Sequence, residues 1–312
     1  MSSMRWPLLY SSPPSSRSTK FVRHFTKPLH CSLFSTNQLT CSLQPRCGAT
    51  LSYRPSFKIS CKRSKATQED GLPQGFSVLP GDSPWEGGIL WSTFAFYVFS
   101  VHVPLSFGGL PAIAWIMGKN RLSPQTEILG ILFIQILELN GALFLLKYMA
   151  KPQYKLPNFF KSSGLVDRNW VLASAVGFGV LVLLLYLLSL IESKLFGPTP
   201  VSSPVLKEIL LSSDVSRVAS VMFYCIVCPL LEEIVYRGFM LTSLSPTMGW
   251  LKAVALSSAI FGAIHFSVGS FLHLFTVGCV LGCSYCWTGN LKSPFLIHSL
   301  YNALTLMISY LY

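Results

Sequence analysis

The sequence predicts an all-α, multi-pass integral membrane protein: a helical bundle of about seven transmembrane helices, six to eight being the range. Composition is the first observation behind this, since 51% of residues are hydrophobic and 12% charged, a balance typical of chains that live in lipid. The second is spacing. Beyond residue 88, apolar segments recur at the ~20-residue length a helix needs to cross a hydrocarbon core. The third is where the charge sits. Residues 1–68 carry eleven Lys/Arg and no Asp or Glu, whereas residues 69–312 carry thirteen basic and twelve acidic side chains. Nearly all of the net +12 therefore belongs to the first fifth, and no nucleic-acid partner is expected for the body of the chain.

Residues 1–61 are basic, acid-free and rich in hydroxyl side chains, as in Ser11-Ser12-Pro13-Pro14-Ser15-Ser16, and they lack the apolar core of a secretory signal. That composition reads as a plastid transit peptide, with cleavage expected after Cys61 and a chloroplast membrane, thylakoid or envelope, as the destination. The alternative is a basic tail for nucleic acid or anionic lipid. A polar linker covers 62–88. The apolar segments then run over residues 89–117, 128–149, 170–191, 215–241, 251–268, 271–288 and 294–312. The first is too long for one straight span and holds Pro104 and Gly108-Gly109, so it is either a Pro-kinked helix or a helix followed by a re-entrant piece. Trp85, Trp91, Trp170 and Trp250 stand near segment ends, where indole rings favour the headgroup level. Lys151, Lys155, Lys161 and Arg168 against one acid, Asp167, mark the loop before the third span as stromal. Between the third and fourth spans, Ser203 to Leu211 reads as a short interfacial helix capped by Ser203 with Pro204 in its first turn.

Five cysteines remain beyond the leader: Cys225, Cys228, Cys279, Cys283 and Cys286. An odd number within apolar segments argues against a disulfide framework. Thiolate ligation of a metal is one alternative; small buried residues that let helices approach is the other.

Glu232 and Glu233 are the only carboxylates in the last 98 residues and lie in an apolar run. An ionised carboxylate at mid-bilayer costs at least ~2.5 kcal/mol, so intramembrane acids face a polar cavity and have a task. Glu233 and Arg237 are at i and i+4, the separation for an ion pair on one helical face. Glu232 is rotated about 100° away and is left for general acid/base work. Phe261 to His265 and His298 to Asn302 offer further polar groups, the latter two again at i and i+4. Together Glu232, Glu233, Arg237, His265, His298 and Asn302 supply a base, an orienter and donors for a developing oxyanion. His273 is read instead as an interhelical hydrogen-bonding group.

Glu232-Glu233-Ile234-Val235-Tyr236-Arg237 matches E-E-x-x-x-R, Phe261 to His265 matches F-x-x-x-H, and His298 to Asn302 matches H-x-x-x-N. In this order and spacing the chain resembles the CAAX prenyl protease and bacteriocin-processing family, over about residues 205–312. The resemblance implies a catalytic membrane domain at 205–312 preceded by variable transmembrane helices at 89–204. It also implies an intramembrane endopeptidase acting on a peptide substrate, prenylated or of another kind, with membrane lipid as surroundings. By that likeness Glu232 and His265 activate water, Glu233 with Arg237 positions the site, and His298 with Asn302 stabilises the oxyanion. No covalent acyl-enzyme is expected, because these motifs place no Ser or Cys beside a base. No cofactor is expected, with zinc on Glu232, Glu233, His265 and His298 as the alternative; the chain lacks H-E-x-x-H. Two other classes of function stay open, a non-proteolytic membrane scaffold that protects a partner protein and a proton-using transporter. No inverted repeat supports the transporter.

Overall fold

The computed structural model describes residues 75–79, 81, 83–85, 88–151, 160, 168–196 and 204–311. The transit peptide expected at 1–61, its expected cleavage point, most of the 62–88 linker and the expected cap Ser203 lie outside the described residues. Among the described residues eight helices follow one another: α1 Leu90–Ile116, α2 Pro124–Met149, α3 Trp170–Phe196, α4 Pro204–Ser212, α5 Asp214–Met248, α6 Trp250–Ile264, α7 Phe271–Thr288 and α8 Lys292–Leu311. Among the described residues there is no strand, only an isolated bridge between Trp85 and Ala150. The chain is a multi-pass membrane helical bundle.

Among the described residues five helices, α1, α2, α3, α5 and α7, are long and apolar enough to cross a bilayer. The other two segments expected to span differ for physical reasons. α6 has 15 residues, about 22 Å at 1.5 Å per residue, because its helix stops at Ile264 rather than at residue 268. α8 has 20 residues but gives part of its length to polar side chains, His298, Ser299 and Asn302 among them. α4 has the predicted extent, turning Ile209 and Leu210 inward while Val205 and Leu211 stay exposed.

Local signals set the helix ends. Ser123 caps α2 by accepting the Thr126 N–H at 3.3 Å with Pro124 behind it, and Ser213 caps α5 by accepting the Ser216 N–H at 3.1 Å. Both are the side-chain acceptors that free N–H groups of a first turn require. Gly289 closes α7 in the left-handed region at φ +68°, its N–H donating to the Tyr285 carbonyl at 2.8 Å.

α1 is one continuous helix rather than a helix plus a re-entrant piece, and its irregularity is a π-helical segment, Val98–His102. α5 has two more, Met222–Val227 and Glu233–Leu241. The first two end two residues ahead of a proline, Pro104 and Pro229, whereas the third ends at Leu241, five residues before Pro246. Proline supplies no N–H and its ring crowds the carbonyl four residues back; widening the preceding turn to π relieves that crowding. The second stretch in α5 begins at Glu233, and all nine of its residues are buried, as befits a helix surrounded by the bundle.

α7 packs along α6 and α3, and α8 packs against α3 and α7. Small residues make the first contact close. A Cβ on Gly278 would stand 2.7 Å from Ser258 Cβ, and one on Gly282 would stand 3.1 Å from a Val254 methyl. Without a hydrophobic drive between lipid-bathed helices, such close backbone approach is what holds them. Arg168 ties the segment before α1 to the C-terminal end of α7, donating to the carbonyls of Phe76 at 2.6 Å and Trp287 at 3.1 Å.

Candidate active site

The six residues singled out in the sequence converge between α5, α6 and α8. Arg237 Nη1 donates to Glu233 Oε1 at 3.0 Å, and His298 Nδ1 meets the same oxygen at 2.8 Å. Both charged members of the ion pair are sealed, with side chains 1–2% exposed. Arg237 has two further restraints: Nη2 donates to the Gly278 carbonyl at 3.2 Å, and the guanidinium sits 4.9 Å over the Phe261 ring. Gly278 is therefore needed twice, for the α6–α7 approach and for a carbonyl within reach of Arg237.

Glu232, one residue earlier and on another side of α5, is 14% exposed. His265 Nε2 stands 3.8 Å from its Oε1 and His298 Nε2 stands 3.6 Å from its Oε2. The opposite edge of each imidazole is fixed. His265 Nδ1 lies 2.7 Å from the Phe261 carbonyl, and His298 Nδ1 lies against Glu233. Both partners can only accept, so each Nδ1 carries the proton and each Nε2 is turned toward Glu232. Phe261 organises the group, its ring meeting those of Tyr236 at 5.1 Å, His265 at 4.8 Å and His298 at 6.3 Å. Asn302 is buried and donates Nδ2 to the Tyr224 carbonyl at 2.7 Å, a carbonyl within the first π segment of α5.

A cavity of about 120 Å³ opens onto this constellation, room for several waters. Glu232, His265, His298 and Asn302 line it, while Glu233 and Arg237 are not among its lining residues. Apolar walls come from α4 through Val205, Leu206 and Ile209 and from α7 through Leu274 and Val277. His273 also lines the cavity and pairs with Glu192 of α3 at 3.4 Å, so the interhelical contact read for it has a carboxylate partner.

Two features escaped the sequence reading. Cys228 Sγ donates to Glu232 Oε1 at 3.1 Å, and the thiol borders the cavity. A cysteine does therefore stand beside a candidate base, outside the three motifs, and the i, i+4 spacing within one helix was the available signal. The other is Glu138, 1% exposed in α2, which accepts from Tyr97 Oη at 2.6 Å and contacts His102 Nδ1 at 2.7 Å. The five cysteines among the described residues, Cys225, Cys228, Cys279, Cys283 and Cys286, are free. Among the described residues, no group of three or more His, Cys, Asp or Glu side chains is arranged to hold a metal ion.

Residues 214–304 match the family model of the Rce1-like type II CAAX prenyl endopeptidases. The matched stretch begins with α5 and ends within α8, so it contains all six converging residues. The chain is also similar to a membrane-embedded CAAX protease, MroQ, of Staphylococcus aureus (strain USA300), with 23% identity over 232 residues, 71% of this chain and 90% of the relative. That second alignment extends well beyond the matched domain. No solved structure matches.

Proposed function

We propose that the protein is an intramembrane endopeptidase in which Glu232, flanked by His265 and His298, activates a water for attack on a peptide carbonyl. The observation that carries this reading is the pair of Nε2 atoms, 3.8 and 3.6 Å from the two oxygens of one cavity-lining carboxylate. These gaps exceed a direct hydrogen bond, and a polar contact of that length is the distance at which an intervening water fits. Glu232 accepts a proton from the water as its oxygen bonds to the carbonyl carbon. The tetrahedral oxyanion takes hydrogen bonds from His298 Nε2–H, when that ring is protonated, and from the second Nδ2 hydrogen of Asn302. Collapse breaks the C–N bond, and the proton held by Glu232 passes to the leaving amine. Glu233 and Arg237 touch no substrate in this scheme. They hold His298 from behind, as an orienting carboxylate holds a catalytic imidazole. The thiol of Cys228 serves as a donor to Glu232 rather than as a nucleophile.

The resemblance to CAAX proteases supports membrane lipid as the surroundings and a membrane peptide as substrate. The composition of residues 1–61 supports a chloroplast membrane as the location. A fluorescent fusion carrying residues 1–70 tests this, plastid signal being expected and cytosolic signal refuting it. For the chemistry, Glu232→Gln in reconstituted full-length protein is expected to lower peptide hydrolysis by 10²–10⁴-fold, the usual contribution of general acid/base catalysis. If that variant instead restored every function of the wild-type chain in cells lacking it, the protein would be acting as a scaffold.

A further inference from the structure

The cavity contains one carboxylate that the proposed chemistry does not use. Glu127 stands in the first turn of α2, where an acidic side chain complements the helix dipole. A Glu with only that role would turn to solvent. Glu127 is instead half-buried and forms part of the cavity wall, with Ile131 one turn further along the same face of α2. The same cavity is lined by Val205, Leu206 and Ile209, apolar surface that weakens solvent screening and strengthens any charge interaction made there.

No Lys or Arg is among the cavity's described lining residues, whereas two carboxylates, Glu127 and Glu232, are. A peptide entering with a free C-terminal carboxylate next to the scissile bond brings a third negative charge into this space. A peptide carrying a Lys or Arg side chain brings the charge that Glu127 lacks. Resting on the endopeptidase reading, we propose that Glu127 is a specificity-determining residue and that the cavity takes an apolar peptide segment with a cationic side chain near the bond to be cut, in preference to a free C-terminal carboxylate. The apolar walls receive the flanking side chains, Glu127 receives the cation, and Glu232 with the two imidazoles faces the carbonyl.

Binding to the Glu232→Gln full-length protein in nanodiscs separates this inference from catalysis. The probes are fluorescent apolar peptides, capped at both ends, that differ only in one central Lys, Gln or Glu, together with an uncapped form ending in a free carboxylate. The Lys peptide is expected to bind about tenfold more tightly than the Gln peptide, the ratio one desolvated charge pair readily supplies. The Glu and free-carboxylate peptides are expected to bind more weakly than the Gln peptide. Adding Glu127→Gln should abolish the Lys preference and Glu127→Lys should reverse it. Equal binding of all peptides, or a Lys preference that survives Glu127→Gln, overturns the proposal. Wild-type protein that binds the Lys peptide through Glu127 and never cleaves it leaves the cationic preference standing and sinks the endopeptidase reading. Cleavage without charge preference does the reverse.

Discussion

Two buried carboxylate clusters occupy this bundle, built alike and placed differently. In α1 and α2, Glu138 accepts from Tyr97 at 2.6 Å and contacts His102 at 2.7 Å. In α5 and α8, Glu233 accepts from Arg237 at 3.0 Å and contacts His298 at 2.8 Å. In each, two partners converge on one oxygen of a carboxylate that is almost wholly out of solvent, which is how a protein makes a buried acid tolerable. What differs is the next residue. Beside Glu233 stands Glu232, partly exposed, bordering a cavity and faced by two imidazoles. Glu138 has no such companion and does not line that cavity. Burial and a histidine partner thus make an interhelical staple; a second carboxylate opening onto a space for water makes a candidate reaction centre. By this measure Glu233 resembles Glu138 more than it resembles its neighbour Glu232.

The comparison breaks first at Arg237. Replacing it with Met leaves Glu233 with only His298, and removing one member of a buried pair costs about 3–5 kcal/mol. A large fall in thermal unfolding temperature is expected, and unchanged melting would show that the pair is not holding the bundle. The Glu138→Gln change comes next, at about 1–3 kcal/mol, since a neutral amide replaces a carboxylate that two donors had satisfied. Denaturation of the purified variant reads this, and the α1–α2 contact should loosen before the rest. Gly278→Ala follows with a cost in the same range, about 1–3 kcal/mol, because the new Cβ meets Ser258 at 2.7 Å. It should also push the Gly278 carbonyl away from Arg237, so hydrolysis is expected to fall further than folding alone explains. The smallest effect belongs to Cys228→Ala. Turnover in a peptide assay should stay within about threefold, since one weak donor is lost; complete loss would reinstate a covalent thiol mechanism.

Much of the α5–α8 half was legible because its signals are local. Carboxylates inside an apolar run are energetic anomalies on sight, and i, i+4 spacing assigned Arg237 to Glu233 without any knowledge of neighbours. The spans were readable for the same reason, apolar length being a property of the segment itself. What local reading missed were relations across helices and departures from the α period. His298 bridges Glu233 and Glu232 across 65 residues of sequence, and Tyr97 and His102 reach Glu138 across 41 and 36. Glu138 was visible as a lone acid in an apolar segment, but nothing in sequence pairs it with α1. The π segments were signalled only by prolines. Pro104 was flagged as a kink, whereas Pro111 lies in regular α-helix despite the same chemistry, so proline alone does not specify the distortion. The Cys228–Glu232 contact obeys i, i+4 spacing, but a thiol in an apolar run carries no charge signal, so sequence does not separate it from a small buried packing residue.

The central claim is that the cluster bordering the cavity performs chemistry and the Glu138 cluster does not. It is tested most directly by measuring turnover of one quenched fluorescent peptide by Glu232→Gln and Glu138→Gln, side by side, in proteoliposomes, normalised to folded protein. The account predicts at least a hundredfold loss for Glu232→Gln with unfolding temperature preserved, and near wild-type turnover for the folded fraction of Glu138→Gln. Wild-type turnover by Glu232→Gln would contradict it.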